Sequence, residues 1–60
     1  MLEGYPDVLD KKQVMEILSI GNNTANKMLK NGEIQNRKIG GAYKVPKIAL
    51  INYLLKIANE

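Results

Sequence analysis

The 60-residue sequence contains no cysteine and no histidine. The absence of cysteine excludes disulfide bonds and thiolate metal sites, and the absence of histidine removes the commonest general base and zinc ligand. The carboxylates of Asp10, Glu16 and Glu33 are not paired at a catalytic spacing. We therefore expect a protein that is not an enzyme, with no catalytic residues, no metal site, no cofactor and no small-molecule substrate.

Long apolar runs are also missing, because no stretch approaches the ~20 residues that a membrane-spanning helix needs. The first seven residues lack the basic start and the apolar stretch of a signal peptide. We therefore expect a cytoplasmic protein that does not act at a membrane. A chain of this length forms one small domain at most.

Positive charge is concentrated in one part of the chain. The net charge is +3, but residues 27–47 hold six basic residues and a single acidic one, Glu33. The basic residues are Lys27, Lys30, Arg37, Lys38, Lys44 and Lys47. Such a local excess favours a polyanionic partner, most simply nucleic acid. A solvated lysine-rich surface explains the same pattern equally well at this point.

A first helix is predicted over residues 11–18. Asp10 is a good N-cap, and Gln13, three residues later, completes a capping-box pattern. Lys11 and Lys12 open this helix with charges that oppose its dipole. A bound phosphate would relieve that conflict, although this indication is weak by itself.

A second helix is predicted over residues 22–31, after a tight turn at Ser19–Gly21. Gly21 or Asn22 is its expected N-cap, and the pair Asn31-Gly32 is a strong stop signal. Two short helices joined in this way have the spacing of a helix-turn-helix, whose second helix enters the major groove of DNA.

A β-hairpin is predicted over residues 35–45, with glycines at its turn. A two-residue loop would pair Ile39 with Ala42. A three-residue loop, Gly40–Ala42, would pair Ile39 with Tyr43 and put both on the buried face, so we expect this second register. It turns two lysines outward, opposite each other: Lys38 and Lys44.

A third helix is predicted from Pro46, its first residue, to about residue 58. One apolar stripe on it is typical of a core face: Leu50, Tyr53, Leu54 and Ile57. A second stripe lies beside it: Ile48, Ile51 and Leu55. Three alternatives remain for the second stripe. It is covered by Leu2, Tyr5 and Val8 of the N-terminal arm, or it binds a second copy or another protein, or it is partly exposed.

The most specific features of the chain are the stretch Gly32-Glu33-Ile34 and the predicted hairpin over residues 35–45, which we call the wing. The wing contains a glycine pair and is followed by Pro46. In their order with the helices, over residues 9–54, they resemble the excisionase-like winged helix-turn-helix family, which is related to the DNA-binding part of MerR-like regulators. The resemblance implies a mainly α fold with a small two-stranded wing, made of an arm at residues 1–8 and a DNA-binding domain at residues 9–60. The chain departs from the family at Gly21, Asn22 and Asn26 and in its wing cations, so no base preference is carried over.

The resemblance also implies a function. We expect a sequence-specific DNA-binding protein of bacterial or phage type, associated with the nucleoid. Helix 22–31 would lie in the major groove, and wing 35–45 on the backbone or in the minor groove. It would be a recombination directionality factor or a small regulator of transcription from a phage or mobile element. Its partners would be double-stranded DNA, further copies on adjacent sites, and an integrase or recombinase. The alternative is a protein-interaction module that uses the apolar face of the last helix.

Four polar side chains of the second helix are candidate DNA contacts. Asn23 and Asn26 lie on its exposed side, where asparagine can pair bidentately with adenine. Asn22 and Thr24 lie at its start, where free N–H groups and the dipole favour phosphate. The alternatives are plain solvation for the first two residues and helix capping for the others.

The remaining candidate DNA contacts are basic. They are Lys27 and Lys30 on the second helix, and Arg37, Lys38 and Lys44 on the wing. Because lysine lacks the rigid fork of arginine, we expect phosphate rather than base contacts from the helix lysines. The wing cations suit the backbone or the minor groove. Lysines on a hairpin also protect its edge from aggregation, which is the alternative for the wing.

Overall fold

The computed structural model describes residues 2–59. Its elements follow the order β1 (Val8–Leu9), α1 (Lys11–Leu18), α2 (Asn22–Lys30), β2 (Arg37–Ile39), β3 (Ala42–Pro46) and α3 (Lys47–Ala58). This order confirms the predicted fold class, mainly α-helical with a small hairpin between the second and third helices. The predicted outer boundaries of the chain, residues 1 and 60, lie outside the described residues.

Helix α1 has the predicted bounds, and a capping box of Asp10 and Gln13 fixes its start. The Gln13 backbone N–H donates to Asp10 Oδ1 at 2.8 Å, and the Asp10 N–H donates to Gln13 Oε1 at 3.1 Å. The helix stops at Ser19, which adopts the left-handed conformation with φ 56°. This residue turns the chain sharply, so that α2 begins three residues later and packs across α1.

Helix α2 begins after Gly21, which serves as N-cap without a side-chain hydrogen bond. The helix ends at Lys30, one residue before the predicted end, because Asn31 is the C-cap. Gly32 follows with φ 76°, a conformation that glycine adopts without a Cβ penalty. Asn36 then donates from Nδ2 to the carbonyl oxygens of Leu29 and Ile34, both at 2.8 Å, and so fastens the chain leading to the wing against the end of α2.

The register expected for the hairpin is wrong. Strands β2 and β3 are joined by the two-residue loop Gly40-Gly41, with φ of 58° and 82°. Two adjacent glycines satisfy the positive φ that the favoured two-residue turn requires at both positions, and this preference decides the register. The resulting pairs are Arg37 with Lys44, Lys38 with Tyr43, and Ile39 with Ala42.

This register separates the two wing lysines that were expected to face each other. Side chains directly opposite in an antiparallel pair share a face, and the face alternates along the strand. Lys38 therefore shares the face of Tyr43 and the buried Val45, whereas Lys44 shares the opposite face with Arg37. Ile39 also lies on that opposite face and is 57% exposed, instead of buried as predicted.

A third strand completes the sheet. Strand β1 pairs antiparallel with β3, matching Val8 with Pro46 and Leu9 with Val45, so that the strand order is β1-β3-β2. The wing is therefore not a free two-stranded hairpin, and Val8 belongs to the sheet rather than to an irregular arm. Pro46 ends β3 and caps α3, so it precedes the helix by one residue instead of opening it.

The buried core joins all three helices and the sheet. Its members are Leu9, Val14, Leu29, Ile34, Val45, Ala49 and Leu50. Leu2 and Tyr5 from the N-terminal arm pack against this cluster, together with Tyr43, Tyr53 and Leu54. Ile57 was predicted to be core but is 45% exposed, because it lies in the last turn of α3, past the residues that contact the core.

The second stripe of α3 is only partly covered. Ile48 is 62% exposed and Leu55 is 49% exposed, while Ile51 is half-buried. The arm residues Leu2 and Tyr5 therefore pack on the core without covering the whole stripe. Among the helices of residues 2–59, none is long and apolar enough to cross a membrane.

Candidate nucleic-acid interface

An open groove lies between the start of α1, the exposed side of α2 and the tip of the wing; we call it the basic groove. It is lined by Asp10, Lys11, Lys12, Asn26, Lys27, Lys30, Lys38, Gly41, Ala42 and Tyr43. Five of these residues are lysines and one is acidic. The groove thus draws its positive charge from three separate segments, and two of those segments lie within the basic part of the sequence.

Helix α2 contributes Asn26, Lys27 and Lys30 to the basic groove. The spacing of these residues places them on one side of the helix, while Ala25 and Leu29 are buried on the other side. Burial of the apolar side against the core therefore fixes which polar residues face outward.

Asn26 is held by a side chain of α1. Lys11 Nζ donates a hydrogen bond to Asn26 Oδ1 at 3.0 Å, and both side chains are half-buried. The contact joins residues that are 15 positions apart and ties the start of α1 to the middle of α2. It places a lysine and an amide side by side in the basic groove.

The wing contributes Lys38, which leans over an aromatic ring. Lys38 Nζ lies 5.1 Å from the centroid of Tyr43, within the range of a cation–π interaction. The contact follows from the register, since the two residues are directly opposite on the same face. Tyr43 packs against the core, so it holds the Lys38 ammonium in place beside the lysines of α2.

Arg37 and Lys44 are carried by the other face of the wing. They lie beside Val8, Ile39 and Pro46, in a shallow depression separate from the basic groove. The predicted wing contacts are therefore divided between two faces, with Lys38 on the groove face and Arg37 with Lys44 on the outer face.

The predicted contacts at the start of α2 are exposed but do not line the groove. Asn22, Asn23 and Thr24 are all exposed. The N-cap Gly21 supplies no side-chain acceptor, so the first N–H groups of α2 remain open to a ligand or to water. This end of the helix can accept a phosphate without displacing a cap.

The sequence contained only a weak indication for two lysines of the groove, and one lysine of the basic segment lies outside it. Lys11 and Lys12 line the basic groove, and the available signal was their unfavourable position at the start of a helix. Lys47 belongs to the basic segment of the sequence but lies elsewhere. Its Nζ donates to the backbone oxygens of Leu2 at 3.2 Å and of Tyr5 at 3.1 Å.

The groups that line the groove offer charge and hydrogen bonds. Across residues 2–59, no group of three or more Asp or Glu side chains is placed to hold a metal ion. The groove presents ammonium groups and an amide, and the start of α2, outside the groove, presents open N–H groups; all of these are suited to phosphates and base edges.

A comparison with protein families identifies the architecture. The family model described as helix-turn-helix domain matches residues 8–57, which is most of the chain. The chain belongs to this family. Searches of curated proteins and of solved structures give no significant match.

In this helix-turn-helix domain, α1 and α2 form the helix pair, and α2 is the second helix. The second helix of such a motif is the one that enters the major groove of DNA, so membership of the family indicates DNA binding. The match extends from strand β1 to the penultimate residue of α3 and so includes the wing.

Proposed function

We propose that this helix-turn-helix domain is a sequence-specific binder of double-stranded DNA. The observation that carries the proposal is the basic groove, in which lysines from α1, α2 and the wing converge around one face of the second helix. Helix α2 would enter the major groove, with the wing on the adjacent backbone or in the minor groove.

The lysines and the amides of α2 have different roles in this proposal. Lys27 and Lys30 neutralise phosphates, because an ammonium is a compact charge without the bidentate geometry of arginine. Asn23 and Asn26 lie on the side of α2 that would face base edges. Asn22 and Thr24 accompany the open N–H groups at the start of α2, where a phosphate would bind.

The wing suits the minor groove because it has cations on both faces. A wing inserted there has a phosphate backbone on each side. Lys38 would meet one strand from the inner face, while Arg37 and Lys44 would meet the other strand from the outer face. The glycine loop between them is small enough to approach the floor of the groove.

We further propose a role like that of excisionases: a recombination directionality factor, or a small regulator of transcription from a phage or mobile element, acting in the cytoplasm at the nucleoid. A domain of this size makes few phosphate contacts. We therefore expect copies on adjacent sites, or an integrase or recombinase, to assist its occupancy of DNA.

The direct test is fluorescence anisotropy with a duplex of about 30 base pairs, over a series of salt concentrations. The logarithm of the binding constant changes with the logarithm of salt by about −0.9 per neutralised phosphate. Engagement of the basic groove predicts a slope of roughly −3 to −5.

A matched pair of variants locates the surface. Lys30→Gln removes a charge from the basic groove, whereas Lys56→Gln removes the same charge from an exposed position on α3. The first should reduce the slope by about one unit, and the second should leave it nearly unchanged. Equal effects, or no binding to duplex DNA at low salt, would refute the proposal.

A second candidate function rests on the exposure of Ile48 and Leu55, which share one side of α3 about two turns apart. In this alternative the domain is a protein-interaction module, with these residues and Ile51 as its interface. The substitution Ile48→Ser would then abolish self-association or partner binding in sedimentation experiments while leaving DNA affinity intact. If the wild-type protein and Ile48→Ser both bind DNA and both remain monomers, this role is refuted.

A further inference from the structure

The hydrogen bond between Lys11 and Asn26 determines more than the packing of two helices. We propose that Lys11 is a positioning residue that commits Asn26 to act as a donor, so that the domain prefers guanine over adenine at one base pair of its site. The inference rests on the proposed DNA-binding function and names the base edge that this part of the groove recognises.

The orientation of the Asn26 amide follows from the chemistry of lysine. An ammonium group has three N–H donors and no acceptor, so only the amide oxygen can face Lys11 Nζ. The observed distance of 3.0 Å joins Nζ to Oδ1 accordingly. The Nδ2 group, on the other side of the amide, is left with two N–H donors for a ligand.

This orientation opposes the usual pairing of asparagine with adenine. That pairing needs the side-chain oxygen to accept from adenine N6 while the nitrogen donates to N7. In this domain the Lys11 ammonium donates to Oδ1, so an adenine N6 group that donates to the second lone pair of the same oxygen would lie against that positive charge. Guanine instead presents two acceptors, O6 and N7, which match adjacent donors from Asn26 and Lys11.

The surroundings strengthen the same preference. The neighbouring cations of the basic groove, Lys27 and Lys30, are also donors only. The carboxylate of Asp10 is engaged through Oδ1 with the Gln13 N–H in the capping box. Lys11 is the first residue of α1, where a positive charge opposes the helix dipole. Its charge therefore does not stabilise the helix.

The test is selection of binding sites from a pool of random duplexes. Asn26→Ala first identifies the base pair that Asn26 reads, as the position where selection is lost. At that position we expect the wild-type protein to prefer guanine over adenine by roughly tenfold. Lys11→Met keeps the aliphatic stem and removes the charged donor, and it should shift the preference toward adenine because no positive charge then opposes the N6 amino group at Oδ1.

Lys12→Met is the matched control. It removes the same charge from the next residue and from the same groove, but its ammonium has no hydrogen bond to another residue of the described chain. It should weaken all duplexes alike and leave the base preference unchanged. Lys11→Arg retains donors at this position and should keep guanine. Circular dichroism checks that each variant is folded, and Lys11→Leu, which also lacks a donor, replaces Lys11→Met if the latter is not.

Side-chain NMR separates this inference from the proposed function. In the free protein, Lys11→Met should shift the Asn26 amide resonances, whereas Lys12→Met should not. Adenine at the Asn26 position in wild type, or guanine retained in Lys11→Met, overturns the inference while leaving DNA binding intact. Wild-type protein that binds no duplex refutes the proposed function, and an unshifted Asn26 resonance refutes the orientation independently of DNA.

Discussion

Lys47 holds the N-terminal arm against the domain. Its side chain donates to two carbonyl oxygens of the arm, and its backbone N–H donates to the Asp7 carbonyl at 2.7 Å. These bonds hold Leu2 and Tyr5 where they cover the core. A lysine that the charge pattern counts among the basic residues is therefore used for internal packing, and it adds nothing to the basic groove.

Replacing Lys47 with methionine should release the arm. We expect a loss of about 1–2 kcal/mol in the free energy of unfolding, since two charge-assisted hydrogen bonds disappear. The Tyr5 amide, which donates to the Leu2 carbonyl, should also exchange faster with solvent. Thermal unfolding and hydrogen exchange measure the two effects. Lys56→Met, on the exposed side of the same helix, is the control, and an equal loss there would contradict the assigned role.

Leu50 is the residue of α3 at which the packing of the core can be tested most directly. Its side chain is fully buried, so Leu50→Ala removes contacts on every side and should cost about 2–5 kcal/mol. A small domain has little stability in reserve, and we expect it to be largely unfolded by circular dichroism. Leu55→Ala makes the same change at an exposed position of the same helix and should cost under about 1 kcal/mol. Similar losses in both variants would argue against the observed orientation of α3.

At the scale of elements, α2 is held by its two ends in different ways. At its C-terminus Asn31 is the C-cap and the Asn36 side chain donates to the Leu29 carbonyl oxygen, whereas at its N-terminus the cap is a glycine without a side-chain hydrogen bond. Gly21 has φ −82° and ψ 174°, which any residue can adopt, and a Cβ there would meet no atom within 4 Å.

The substitution Gly21→Ser should therefore stabilise the domain by about 0.5–1 kcal/mol. A serine at this position gains a side-chain acceptor for the open N–H groups and restricts the unfolded chain. Gly32→Ser is the contrasting variant: its φ of 76° disfavours a side chain, and we expect a loss of about 1 kcal/mol. Urea unfolding of both variants measures the difference, and a destabilising Gly21→Ser would show that the glycine is needed for another reason.

The two faces of the wing can be tested separately, because Lys38 lies on one and Lys44 on the other. If it enters the minor groove, Lys38→Met and Lys44→Met should each weaken all duplexes alike and reduce the salt slope by about one unit. If the wing lies flat on one backbone instead, only one of these two substitutions should weaken DNA binding. Anisotropy over a salt series distinguishes these cases, and the lysine without effect would identify the face turned away from DNA.

At the scale of the whole molecule, the distribution of charge acts against folding. Five lysines around one groove repel each other, with Asp10 as the acidic residue among them. Such repulsion between exposed charges is screened by salt. The domain thus keeps a destabilising surface that a polyanion would neutralise, which is consistent with the proposed function.

Raising sodium chloride from about 20 to about 200 mM should therefore increase the melting temperature, because the shorter Debye length screens the repulsion between the exposed lysines. We expect a gain on the order of 0.5 kcal/mol, measured by thermal unfolding. The gain should be smaller in Lys30→Gln. Stability that falls with salt would mean that favourable ion pairs outweigh the repulsion.

Much of this architecture could be predicted locally. Asp10 and Gln13 determine the start of α1, and Asn31-Gly32 terminates α2, because capping and left-handed turns depend on a few adjacent residues. The register of the wing was harder to predict, since burial of Ile39 favoured one loop and the two glycines favoured another. The glycines prevailed because both turn positions need positive φ, whereas Ile39 on a hairpin can remain exposed.

The sequence by itself determined the helix pair, the wing, the third helix and the excess of positive charge between residues 27 and 47. Only the tertiary structure decided which charges act together. It brought Lys11 to Asn26, turned Lys38 into the basic groove and Lys44 away from it, and used Lys47 to hold the arm. The reason is physical: caps and periodicity act over one or two turns of chain, whereas a groove is formed by packing segments that are distant in sequence.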